Sequence, residues 1–183
     1  MRILVNLKCD SNITLPINQN YFLASSIYRL ISCRPEFSKF LHDRGYVHEE
    51  SGKVFKLFTF SPIMGKDRRL VGENVVFGAG TLSWQITSPM QDFILPLAEG
   101  LLSEGSININ DVSLPVAHIQ TTPEPEITSP MKFKCLSPIV VSKTEDGNKY
   151  ASYLSYDTPD LAHRVKLNLM KKYSIINGSI YKF

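Results

Sequence analysis

The sequence predicts an α+β fold in the order β-α-β-β-α-β, and three observations carry that prediction. Ile3, Val5 and Leu7 alternate with Arg2, Leu4, Asn6 and Lys8, the two-residue period of a strand with one core face. Two segments, Tyr21 to Ile31 and Pro89 to Leu102, instead repeat their apolar residues at helical spacing. Short apolar and aromatic runs at Val54 to Phe60, Val75 to Phe77, Thr81 to Thr87, Ile107 to Ile109 and Val112 to Gln120 supply the remaining strands. This order is that of a ferredoxin-like unit. A further run of strand and helix signals beyond Met131 predicts a partial second unit of the same kind.

In the first helix Phe22, Leu23, Ile27, Leu30 and Ile31 make one apolar face, with Tyr28 beside it. Pro35 forbids continuation past Cys33 and Arg34 and suits the first turn of a new helix. That second helix, Glu36 to Asp43, turns Phe37, Phe40 and Leu41 inward and leaves His42 near its C-terminal end. Gly45 to Lys53 is polar, with Glu49, Glu50, Ser51 and Gly52 together, and is expected to be an exposed, mobile loop. In the strand Val54 to Phe60, alternation puts Lys56, Phe58 and Phe60 on one face and Phe55, Leu57 and Thr59 on the other.

Ser61 to Asn74 reads as a loop or hairpin with a basic tip at Lys66, Arg68 and Arg69. The helix Pro89 to Leu102 carries Met90, Phe93, Ile94, Leu97 and Leu101 on one side, and Gly105 ends it as a left-handed cap. Thr121 to Pro130 holds three prolines in ten residues and reads as a linker. The domains are accordingly 1–122, a linker at 123–130, and 131–183. In the second, Phe133 to Ser142 is a strand interrupted at Pro138, Asp146-Gly147 a hairpin turn, and Lys149 to Tyr153 the returning strand. Thr158 caps a helix that has Pro159 at its first position. Leu161, Val165, Leu169 and Met170 form its apolar stripe, with Arg164, Lys166, Lys171 and Lys172 on the exposed side. A last strand starts at Ser179.

The 183 residues are 43% hydrophobic, enough for a buried core, and the net charge is only +3. That charge is uneven: the chain from Glu126 onward is net positive and the part before it slightly negative, so a local phosphate-binding patch is possible without a strongly basic whole. Cys9, Cys33 and Cys135 have no paired spacing, which argues against a disulfide framework or a structural zinc site and for buried free thiols. The N-terminus is too polar for a signal peptide, and no apolar run reaches membrane-spanning length. A soluble, cytoplasmic protein is the expectation.

Tyr28, His42 and Lys56 each sit near the end of a different element and could meet at one mouth. Histidine exchanges protons near neutral pH, lysine partners phosphate oxygens, and a tyrosine hydroxyl donates or orients. Together they suffice to cleave RNA, by removing the proton of a 2′-hydroxyl and steadying the charge that its attack builds on phosphorus. Each also has a structural reading: a packed ring with a wet hydroxyl, a helix-end cation, and a lysine reaching solvent. His48 is a substitute for His42 or an exposed loop histidine. His118 and His163 read as surface residues.

The pieces YFLASSIYRLI, KFLHDRGY and FKLFTFSPI, followed by FKCLSPIVV and YLSYDTPDLAHRVKLNLMKKY, resemble in order and spacing the CRISPR-associated endoribonucleases that process precursor CRISPR RNA, members of the RAMP superfamily. The match runs from the N-terminus to about Tyr173. Transferred residue by residue, the resemblance implies Tyr28, His42 and Lys56 as catalytic; Lys66, Arg68, Arg69, Arg164, Lys166, Lys171 and Lys172 read either as solvated basic faces or, given the family, as contacts to RNA phosphates. It implies CRISPR repeat RNA as substrate, a 2′,3′-cyclic phosphate product, and no metal or other cofactor.

Family members usually continue into a glycine-rich loop that contacts RNA. Its absence here implies a shortened second unit with an open sheet edge, prone to self-association as a homodimer. Two rivals follow: a non-catalytic binder of repeat RNA, and a remnant that docks on other CRISPR effector proteins.

Overall fold

The computed structural model describes residues 1–124, 126–135, 139–143 and 151–178. In chain order the first strands are β1 (Arg2–Cys9) and β2 (Ile13–Pro16), then helix α1 (Asn20–Leu30), which runs through a 3-10 turn, Ile31–Cys33, into the short α2 (Pro35–Lys39) and a π-helical turn, Phe40–Arg44. Next come β3 (Tyr46–His48), β4 (Lys53–Phe55), β5 (Thr59–Phe60), β6 (Arg68–Val71), β7 (Asn74–Phe77) and β8 (Gly80–Thr87). Helix α3 (Gln91–Glu104) leads to β9 (Ser106–Ile109) and β10 (Val112–Thr122). The remainder contains β11 (Ser142–Lys143), β12 (Ser152–Tyr153) and α4 (Pro159–Asn177).

The chain divides into two compact units, Met1–Tyr46 with Val54–Glu124, and Val47–Lys53 with Pro125–Phe183. In the first, five strands form an antiparallel sheet in the order β5-β8-β1-β10-β9. With β9 set aside as the outer arm of the β9–β10 hairpin, this is the ferredoxin-like order. Alternation on β1 works as the sequence predicts: Ile3, Val5, Leu7 and Cys9 are buried. They meet Leu82, Trp84 and Ile86 of β8, Leu23 and Ile27 of α1, and Phe93, Leu97 and Leu101 of α3 in one core.

α1 and α3 lie close together. A Cβ built on Gly100 would stand 2.0 Å from the Leu30 carbonyl oxygen, so only glycine permits this approach. Gly105, at φ 64°, ends α3 in the left-handed conformation expected of it. A second sheet, β2-β7-β6, flanks the first. Its β2 was not foreseen, because four residues interrupted by Pro16 give too short a pattern.

Several expectations are corrected. Val54 to Phe60 is not one strand: Leu57 adopts φ 52°, and the chain turns there between β4 and β5. Leu57 is nonetheless buried, and its carbonyl accepts a hydrogen bond from Ser88 Oγ at 2.8 Å, so a distant residue stabilises the break. Glu36 to Asp43 is not one α-helix either, since its second half widens into the π turn. The expected mobile loop after Gly45 is a hairpin, β3 paired with β4. Lys66, Arg68 and Arg69 are not at a tip: the β6–β7 turn is Gly72-Glu73, and the two arginines lie along β6.

Cys9 is buried, but Cys33 and Cys135 are exposed, so the reading of all three as buried thiols fails for two. In the second unit, Phe133 to Cys135 and Ile139 to Val141 are not strand, and pairing is confined to Ser142–Lys143 with Ser152–Tyr153. Pro138, the Asp146-Gly147 turn, the start of the returning strand at Lys149 and the strand at Ser179 lie outside the described residues. Thr158 stands at the N-cap of α4, but its hydroxyl donates to the Ser155 carbonyl at 2.8 Å rather than capping the helix.

Candidate active site

Tyr28 lies in the last turn of α1, half-buried. Its neighbours Leu23, Ile27 and Leu30 enter the core, and helical spacing leaves Tyr28 at the rim of that face. The phenol ring touches two partners edge to face, the His42 ring at 5.5 Å and Phe58 at 6.3 Å between centroids. Phe58 in turn stacks on Phe93 of α3 at 4.7 Å, so the tyrosine is braced against the core. Burial pushes the Tyr28 phenol up from its ordinary value.

His42 sits in the π turn. Leu41 beside it is fully buried, which anchors the turn, while the His42 side chain is 72% exposed. Its Nδ1 lies 2.9 Å from Asp43 Oδ1. That hydrogen bond, with smaller contributions from the charges of His42, Lys39 and Lys56, holds the Asp43 carboxyl below the usual carboxylate range. The Gly45 amide donates to the Phe40 carbonyl at 2.8 Å, closing the turn five residues apart. Gly45 has φ 70°, and a Cβ there would lie 2.8 Å from the Phe55 carbonyl oxygen, so the turn and β4 meet at backbone distance.

Lys56 follows β4. Its ammonium donates to the carbonyl oxygens of Leu41 and His42, the latter at 2.8 Å. It therefore binds the C-terminal carbonyls of the turn that carries the histidine, where a cation is favoured. The face shared with Phe58 and Phe60, expected from strand alternation, is lost with the strand. Tyr28, Ser32, Pro35, Ser38, Lys39, His42 and Asp43 line an open cavity of about 380 Å³. Sequence reasoning missed Asp43 and Ser38; the signal for Asp43 was its place next to His42.

Tyr28, His42 and Lys56 are thus gathered within one unit. His48 is elsewhere, in β3, with Nδ1 3.0 Å from Ser51 Oγ. Lys66, Arg68 and Arg69 are exposed. In the second unit Lys53, Arg164, Lys171 and Lys172 line a cavity of about 530 Å³ with Asn168 and Leu169. Only Lys166 of the four α4 cations is fully on the exposed side; Arg164 pairs with Asp160 at 3.2 Å, and Lys171 and Lys172 are half-buried. His118 and His163 are exposed, as expected of surface residues.

Residues 14–120 match the family model described as CRISPR-associated protein Cas6, N-terminal, and residues 122–183 match CRISPR associated protein Cas6, C-terminal. The chain belongs to the Cas6 family. A relative from Methanocaldococcus jannaschii, named CRISPR-associated endoribonuclease Cas6 1, is 32% identical over 94% of this chain and 65% of its own length. A Cas6 endoribonuclease from Pyrococcus furiosus is 27% identical over 97% of the chain and 66% of its own. The chain thus spans about two thirds of the length of these relatives. Among solved structures, one described as a Cas6-related gene from Pyrococcus furiosus superposes with a TM-score of 0.81 at 25% identity, over all of this chain and 73% of that one. Another, described as a RAMP protein binding different RNA substrates, gives 0.79 at 26%, over all of this chain and 74% of its own. The Cas6 fold, with its antiparallel ferredoxin-like sheet, is therefore the fold of this chain. Among the described residues no helix is long and apolar enough to cross a membrane.

Proposed function

We propose that this chain is an endoribonuclease that cleaves CRISPR repeat RNA in precursor transcripts, without a metal ion, by attack of a 2′-hydroxyl on the adjacent phosphorus. The observation that carries the reading is the Tyr28–His42 ring contact at 5.5 Å, with Lys56 bonded to the turn beneath the histidine. In this reaction the 2′-oxygen forms a bond to phosphorus while the bond to the 5′-oxygen breaks. One proton leaves the 2′-hydroxyl to a base and another reaches the departing 5′-oxygen from an acid. The products are a 2′,3′-cyclic phosphate and a 5′-hydroxyl.

Tyr28 and His42 are the two groups that exchange these protons. Lys56 has three N–H donors, two of them engaged with carbonyls, and the third is directed to a phosphate oxygen of the transition state. The donor set by itself supplies proton transfer and charge stabilisation, which supports a reaction needing no metal. The site belongs to domain 1–122; Lys66, Arg68 and Arg69 there, and Arg164, Lys166, Lys171 and Lys172 in domain 131–183, hold the RNA backbone. Other CRISPR effector proteins, or a second copy of the chain, are the protein partners of this reading.

The test is incubation with labelled repeat RNA in EDTA, beside His42→Ala and an RNA carrying a 2′-deoxy nucleotide at the cut. Cleavage that survives EDTA, falls by about 10²–10⁴-fold with the histidine removed, and is abolished when the attacking 2′-hydroxyl is missing, is expected. Uncut RNA that still shifts on a gel would leave a binder and overturn the enzyme.

A further inference from the structure

We propose that Asp43 is a positioning residue that holds His42 in its Nδ1–H tautomer and so makes Nε2 the one ring nitrogen that exchanges protons with RNA. The inference rests on the reading of His42 as a catalytic residue and assigns the chemistry of its ring.

A neutral imidazole has one N–H and one lone pair, and the group that either nitrogen meets decides which is which. Asp43 Oδ1 lies 2.9 Å from Nδ1. An ionised carboxylate accepts hydrogen bonds and cannot donate one, so Nδ1 must carry the proton. The Asp43 carboxyl is held below its ordinary range, with Lys39 and Lys56 as the other charges acting on it, so it is ionised at neutral pH. Nε2 is then the basic nitrogen. When Nε2 takes a proton, the Nδ1–H bond to Asp43 persists and the new positive charge sits beside a carboxylate.

The geometry is fixed around the pair as well as within it. The Tyr28 ring meets the imidazole edge to face, and Lys56 ties down the carbonyls of Leu41 and His42. The five-residue closure from Gly45 to Phe40 sets the π turn. Neither Asp43 nor His42 is buried, so the carboxylate has no packing role to explain its place. Because the ring has one nitrogen engaged, a substrate meets it only through the other.

Two-bond ¹H–¹⁵N correlation spectra of the uniformly labelled chain, at about pH 8 and so above the ordinary histidine range, read the tautomer directly. His42→Ala identifies the His42 signals among those of the four histidines. The expected wild-type pattern has a protonated Nδ1 and a bare Nε2, and Asp43→Ala shifts the population to Nε2–H. In the cleavage assay kcat for Asp43→Ala falls about tenfold while KM stays within about twofold. A wild-type ring already in the Nε2–H form, or one unchanged by Asp43→Ala, overturns the proposal. A tautomer shift in a protein that cuts no RNA sustains Asp43's role and removes the nuclease reading instead.

Discussion

Tyr28 shows how a single side chain serves packing and chemistry at once. Its ring is braced by Phe58, and through Phe58 by Phe93. Tyr28→Phe keeps the ring contacts and removes only the O–H, so the expected result is loss of cleavage with RNA affinity retained, read by single-turnover rates beside a binding titration. The same substitution has a pH signature. A phenol whose folded pKa is raised contributes stability that is fully present below its unfolded value and is lost as pH rises through the folded one. Alkaline denaturation followed by circular dichroism should therefore be shallower above the ordinary tyrosine range in Tyr28→Phe than in the parent. Asp43 works in the opposite sense: its depressed carboxyl contributes above the ordinary aspartate value and ceases to as pH falls through the folded one.

Lys56 is the residue whose role changed most between sequence and fold. Read from a strand it was a cation interrupting an apolar face. In the fold it is a cap on carbonyls 15 and 14 positions away. Lys56→Met is expected to release the π turn, visible as faster amide exchange at Gly45, whose amide closes it. Unchanged exchange would mean that the turn stands without the lysine.

At the scale of elements, backbone departures from regular repeats place the candidate site. α2 gives way to a π turn, the strand after it breaks at Leu57, and Gly45 brings turn and strand to backbone distance. The core depends on a comparable closeness elsewhere, between α1 and α3. Gly100→Ala puts a methyl group against the Leu30 carbonyl, and both helices are too well anchored to part freely. A loss of about 1–3 kcal/mol is expected, measured as a lower urea midpoint at unchanged m-value. A neutral result would show that α3 slides along α1 without cost.

For the molecule as a whole, the small net charge hides a division of cations between the units. On β6, Arg68 and Arg69 are consecutive and so face opposite sides of the strand. A single RNA strand tracking one side of that sheet meets one of them. Measured as log affinity against log salt, one of Arg68→Ala and Arg69→Ala should reduce the slope by about one and the other leave it nearly unchanged. Unchanged slopes for both would take β6 out of the RNA path.

Much of this architecture was legible in the chain. The period-two pattern of β1, the helical spacing of α1 and α3, Gly105 as a cap and the β9–β10 hairpin are local signals, because periodicity and turn chemistry act between near neighbours. The co-linear motifs pointed to the family, and to Tyr28, His42 and Lys56 as a set. What the tertiary structure alone decided is how those three come together. The break at Leu57 answers to Ser88, the π turn answers to Lys56, and the closeness of α1 and α3 answers to one missing Cβ. Each is an interaction between residues far apart in sequence, and no pattern within a single segment specifies where such partners will meet.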